Sequence, residues 1–129
     1  MKRVFLDTSC LTAIAFGEEG AAAIKRRIAT FELLAASPLL EAEARAAFRR
    51  ERCDASDELD ALLEPINWVI PDRPLSAEIT AVLEAGYVKG ADCWHLATAL
   101  FFSPDPSELT FLTLDARQGE VARALGFKR

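Results

Sequence analysis

The sequence predicts a layered α/β fold around a central, mostly parallel sheet of four or five short strands. Three observations lead there. Two short apolar runs, Val4–Leu6 and Phe111–Leu114, each end in an aspartate and pass directly into a helix-forming stretch. Helical segments separate the strand candidates, as crossover connections require. The segment from Gly90 to Phe102 is apolar almost all round, which suits a helix buried against a sheet. A chain of 129 residues, 51% hydrophobic and 27% charged, is expected to form one domain with one continuous core.

Taken in order, Val4–Leu6 reads as a buried strand, and Thr8-Ser9 open a helix that Gly17 closes. Glu18 to Thr30 reads as a second helix, acidic at its start and carrying Lys25, Arg26 and Arg27 late, as the helix dipole favours. Phe31–Ala36 offers the next strand. Ser37-Pro38 then supplies a cap and a first-turn proline for a helix running to about Arg52. Asp54 or Ser56 caps a further helix reaching Leu63, which Pro65 ends, and Trp68–Ile70 is the third strand candidate. A helix from Leu75 to Ala85 stops at Gly86, and the buried helix from Gly90 to Phe102 is followed by a loop of Pro104, Asp105, Pro106 and Ser107. After Asp115 a last helix runs from about Ala116 to Gly126, with room for only a stub of strand at Phe127.

Several function classes fall away. No apolar stretch approaches the roughly 20 residues of a membrane span, and the N-terminus does not resemble a signal peptide, so a cytoplasmic location is the default expectation. Cys10, Cys53 and Cys93 are odd in number and form no C-x-x-C pair, which suits free thiols better than disulfides or a zinc knuckle. A net charge of -5 argues against a strongly basic nucleic-acid binder, although four carboxylates gathered on metal would account for most of it.

The acids carry the chemistry. In parallel sheets ligands bind beyond the carboxyl ends of the strands, and Asp7 and Asp115 both follow strand candidates. Either alone reads equally well as a helix cap, and Asp92, in the first turn of its helix, has the same bland reading. Glu43 is more telling. Its neighbours at three and four residues are Leu39, Leu40, Ala46 and Ala47, which places its carboxylate on an apolar stripe and demands a partner. Glu41, with Arg45 four residues on, reads as a solvated pair. Carboxylates converging without His or Cys ligands favour Mg²⁺ or Mn²⁺, the ions of phosphoryl transfer.

Four stretches carry a family resemblance: V-F-L-D-T-S from Val4 to Ser9, S-x-x-x-x-A-E from Ser37 to Glu43, G-A-D-C-W-H-L-A-T-A from Gly90 to Ala99, and F-L-T-L-D-A-R-Q from Phe111 to Gln118. With the terminal A-x-x-L-G-F, Ala122 to Phe127, they resemble PIN domains in the expected order across essentially the whole chain. The resemblance implies a PIN-like three-layer α/β/α fold spanning residues 1–129. It implies Asp7, Glu43, Asp92 and Asp115 as catalytic, metal-binding acids, with Thr8, Ser9 or Thr113 hydrogen-bonding to them or to metal-bound water. It further implies Mg²⁺- or Mn²⁺-dependent RNA cleavage, and for a chain of this size a VapC-like toxin: a homodimer neutralised by a VapB-like antitoxin. The stub after Gly126 departs from family members that continue into a full edge strand.

Arg45, Arg49, Arg50 and Arg52 follow Glu43 on one helix, with Arg45 and Arg49 the candidate RNA contacts; a plain solvated face is the equal alternative. His95 is read as a core or hydrogen-bonded residue rather than a general base. Trp94, Phe101 and Phe102 are read as core or dimer-interface residues rather than base-stacking platforms. One rival function is a catalytically silent PIN-type RNA- or protein-binding scaffold. The other, a phosphoacceptor receiver domain, would need an early acidic pair and a late lysine that the sequence does not display.

Overall fold

The computed structural model of the chain describes residues 1–51 and 56–129. Arg52, Cys53 and Asp54, where a helix end, a thiol and a cap were expected, lie outside the described residues. The elements run β1 (Arg3–Leu6), α1 (Thr8–Ala15), α2 (Ala21–Ile28), β2 (Leu33–Ala36), α3 (Pro38–Arg50), α4 (Ser56–Leu63), β3 (Ile66–Trp68), α5 (Ser76–Ala85), α6 (Gly90–Phe102), β4 (Thr110–Leu112) and α7 (Ala116–Leu125). All pairings are parallel, in the order β3-β2-β1-β4, so the first strand is central and both its neighbours cover it.

Alternation along β1 divides the core. Val4 and Leu6 turn toward α1, α3 and α4, where they pack with Leu11, Leu40, Ala44, Phe48 and Leu59. Phe5 turns the other way, toward α5, α6 and α7, among Val82, Leu96, Leu109 and Val121. Its ring stacks on Phe111 of the neighbouring strand at 5.9 Å between centroids. Helices on both faces make the expected three layers.

Most boundaries fall where the sequence placed them, and the differences have causes. The second helix starts at Ala21 rather than Glu18, because Gly20 occupies the left-handed region (φ 84°) and turns the chain immediately before it. The third strand begins at Ile66, directly after Pro65, and ends at Trp68; Ile70, placed in the strand by its apolarity, is an exposed residue beyond it. The strand preceding Asp115 ends at Leu112, so Thr113 and Leu114 form a short link before the acid. Ser37 caps α3 as expected, its Oγ accepting from Leu39 N at 3.1 Å. The stub after Gly126 is a single parallel bridge, Thr110 to Lys128, on the open side of β4. Cys10 and Cys93 are buried free thiols, and burial with the nearby Asp7 pushes the Cys10 thiol up to about 12.

Candidate metal centre

The carboxyl ends of β1 and β4 are stitched together by Asp7 N donating to Leu112 O at 3.0 Å. Asp7 lies just past β1 and is only 5% exposed. Its Oδ2 accepts from Ser9 N at 3.2 Å and Ser9 Oγ at 2.7 Å, and Thr113 Oγ1 stands 3.1 Å away. Ser9 Oγ in turn accepts from Leu114 N at 3.0 Å, while Thr113 Oγ1 accepts from Asp115 N at 3.0 Å. The cap expected of Asp7 is therefore real, but it occupies one carboxylate oxygen and leaves Oδ1 free. Capping and metal binding are compatible duties of the same residue.

Glu43 differs from its sequence reading. The buried stripe of α3 is Leu40, Ala44 and Phe48, and Glu43 lies on its flank with a side chain 36% exposed. It gains its partners from tertiary structure. Oε1 accepts from Thr8 Oγ1 at 2.7 Å and lies 2.7 Å from Nε2 of the fully buried His95. The His95 tautomer with its proton on Nε2 donates to Glu43, leaving Nδ1, which has no partner among the described residues, as an acceptor. The same Nε2 stands 3.9 Å from Asp7 Oδ1, beyond hydrogen-bond reach. Two donors fix Oε1 and leave Oε2 open.

Asp92 occupies the first turn of α6 and is half-buried. Its carboxylate accepts no hydrogen bond among the described residues, and the cap position, Lys89, supplies no side-chain bond either. Burial raises its pKa above the usual aspartate range, and the negative charges of Asp7, Asp115 and Glu43 raise it further, against an opposing effect of His95. Asp92 thus lies within the field of the other three expected acids. Asp115, exposed at the start of α7, uses Oδ1 to cap that helix, accepting from Gln118 N at 2.9 Å, and retains Oδ2.

Thr8 hydrogen-bonds to Glu43, and Ser9 and Thr113 stand within hydrogen-bond distance of Asp7. His95 is the buried, hydrogen-bonded residue the sequence suggests, and its partner Glu43, on another helix, is not readable from local spacing. Gln118 is a residue that the sequence reading does not single out. Buried Gln118 stands 2.8 Å from Thr113 Oγ1 through Oε1 and donates through Nε2 to Asp92 O at 3.3 Å, tying α7 to α6 beneath the acids. Its polarity inside an amphipathic helix was the available signal. Arg45 is engaged by Glu41 at 2.9 Å and Asp60 at 2.9 Å, while Arg49 is exposed. Trp94 is half-buried and donates from Nε1 to Ser37 Oγ at 3.1 Å, fastening α6 to the start of α3.

Among the described residues, no three His, Cys, Asp or Glu side chains lie together closely enough to hold a metal ion. As donors, the oxygens of Asp7, Glu43, Asp92 and Asp115 not used in hydrogen bonds among the described residues are of the hard, anionic kind that Mg²⁺ or Mn²⁺ takes, and Mg²⁺ ordinarily retains several waters and few protein ligands.

The chain is thus a parallel three-layer α/β domain with acids just beyond β1 and β4 and in the first turn of α6. The PIN domain family profile matches residues 4–124, and the chain belongs to that family, whose members are mostly metal-dependent nucleases. No curated protein matches the chain significantly. No helix among the described residues is long and apolar enough to cross a membrane.

Proposed function

We propose that this chain is a Mg²⁺- or Mn²⁺-dependent endoribonuclease whose metal-binding and catalytic acids are Asp7, Glu43, Asp92 and Asp115. The observation that carries the reading is Asp92: a half-buried carboxylate without a hydrogen bond, under the negative field of three others. Such an arrangement is unfavourable unless a cation completes it.

A bound divalent ion supplies the positive charge that activates a water and offsets charge growing on the phosphodiester. The protein's own part is positioning. Ser9 and Thr113 orient Asp7, Thr8 and His95 orient Glu43, and Gln118 joins the elements bearing Asp92 and Asp115. Water adds to phosphorus, the bond to the 3′ oxygen breaks, and a proton passes to that oxygen, leaving a 5′-phosphate and a 3′-hydroxyl.

In its cellular setting the chain acts in the cytoplasm as the toxin of a VapBC-like pair, held in check by a VapB-like antitoxin. The homodimer is supported by an apolar groove between α5 and α6, where Leu83 and Tyr87 are 46% and 70% exposed. Leu83→Glu is expected to give a monomer by light scattering; an unchanged mass places the dimer contact elsewhere or shows the chain to be monomeric.

The test is cleavage of single-stranded and loop-containing RNA with Mn²⁺ or Mg²⁺, using wild type, Asp7→Asn and Asp92→Asn. Wild type cleaves and both variants lose activity while remaining folded. A folded wild type that cleaves no RNA with either ion supports the silent scaffold instead; undiminished cleavage by the variants refutes the acid assignment.

A further inference from the structure

Against a net charge of -5, one groove beside the acidic centre is lined by Arg27, Arg123, Lys128 and Arg129. It follows the open edge of β4. Gly126 reverses the chain after α7 in the left-handed region (φ 103°), and Lys128 then runs parallel to the strand, its N donating to Leu109 O at 3.0 Å and its O accepting from Phe111 N at 3.0 Å. Arg27, from the last turn of α2, donates to the Arg129 carbonyl and closes the groove's other wall. The same groove is lined at one end by Thr113 and Asp115, so it reaches one of the four acids.

Arg45, Arg50, Arg73 and Arg117 all pair with carboxylates. Arg123, Lys128 and Arg129 have no carboxylate within salt-bridge distance among the described residues. Among the described residues Lys2, Arg3, Lys25, Arg26, Arg49 and Lys89 also have no carboxylate within salt-bridge distance, so what distinguishes the groove's cations is that they are gathered along one concavity. Glu120, the other acid of the groove besides Asp115, is engaged by Arg117 at 3.2 Å. A concave, unneutralised basic track leading to an acidic centre suits a polyanion whose one phosphate lies on metal while its neighbours need cations. Resting on the nuclease reading above, we infer that this groove binds the phosphate backbone of the RNA strand flanking the scissile bond.

The experiment is fluorescence anisotropy of a labelled single-stranded oligoribonucleotide with the Asp92→Asn protein in Mg²⁺ over a range of salt. On that background Arg123→Gln with Lys128→Gln is expected to weaken binding about tenfold at 0.1 M salt and to lower the log-affinity against log-salt slope by about 1.4, roughly 0.7 per lost phosphate contact. Arg73→Gln, at a surface ion pair with Glu78 outside the groove, serves as control and leaves both quantities unchanged, and Arg45→Gln with Arg49→Gln tests the rival path along α3. Melting curves verify folding, and each single groove variant, with half the slope change, serves if the pair does not fold. Unchanged affinity and slope in the groove variants, while wild type cleaves RNA, overturns the groove alone. Loss in the Arg45 and Arg49 pair instead overturns it in favour of a path along α3. A wild type that neither binds nor cleaves RNA brings down the nuclease reading and the groove together.

Discussion

Within the crevice, Asp7 and Glu43 contrast with Asp92 and Asp115. The first pair is held: Ser9 donates twice to Asp7, and Thr8 and His95 converge on one oxygen of Glu43. The second pair is loosely held, since Asp92 makes no hydrogen bond among the described residues and Asp115 makes only a helix cap. One half is pre-organised by donors from α1 and α6. In the other half, Asp92 carries burial and like-charge repulsion that a bound cation would relieve. Stability and activity should therefore separate between the halves.

The largest expected effect is on cleavage. Asp92→Asn and Asp7→Ala should each lower the RNA cleavage rate by roughly a hundredfold or more, since each removes charge that holds the cation, a contribution of several kcal/mol. Their melting temperatures without metal should diverge. Asp7→Ala loses a helix cap and leaves buried donors unpaired, costing about 2 kcal/mol, whereas Asp92→Asn removes a repelling charge and should melt no lower than wild type. Equal destabilisation by the two would erase the contrast between the halves.

A smaller effect is expected at the support. Ser9→Ala removes the donor to Asp7 and the acceptor of Leu114 N, so denaturant unfolding should show a loss of about 1 kcal/mol. An unchanged midpoint would mean that Asp7 is held by the cap geometry alone.

The smallest effect is a pH dependence without metal. Because the folded Asp92 carboxyl binds its proton more tightly than the unfolded one, its contribution to stability falls as pH rises, from about 3.9 to its raised value. Other carboxylates titrate in the same range, so the readout is wild type minus Asp92→Asn. That difference should move against the wild type as pH rises through the window; a flat difference removes the field of the other acids from the account.

Much of this was legible in the sequence, and particular residues show why the rest was not. Asp7 and Asp115 follow apolar runs, which encode strand ends directly, so both the fold and two acids could be read from pattern. Gly20 and Pro65 moved element boundaries through backbone geometry that hydropathy does not record. The reading of Glu43 as a buried acid is partly mistaken: periodicity located the stripe, but tertiary packing puts the glutamate at its flank, with His95 as partner. Gln118 and His95 join elements 26 and 52 residues apart in the chain, a relation that local spacing does not express. The pairing of Arg45 with Asp60 is hidden for the same reason.

The most direct test of the central claim is a calorimetric titration of Mn²⁺ into the wild-type protein and Asp92→Asn near neutral pH. The four acids predict saturable binding to the wild type and an affinity at least about tenfold weaker in the variant. Absence of binding to the folded wild type, or equal affinity in both proteins, would contradict a metal centre built on Asp92 and its three neighbours.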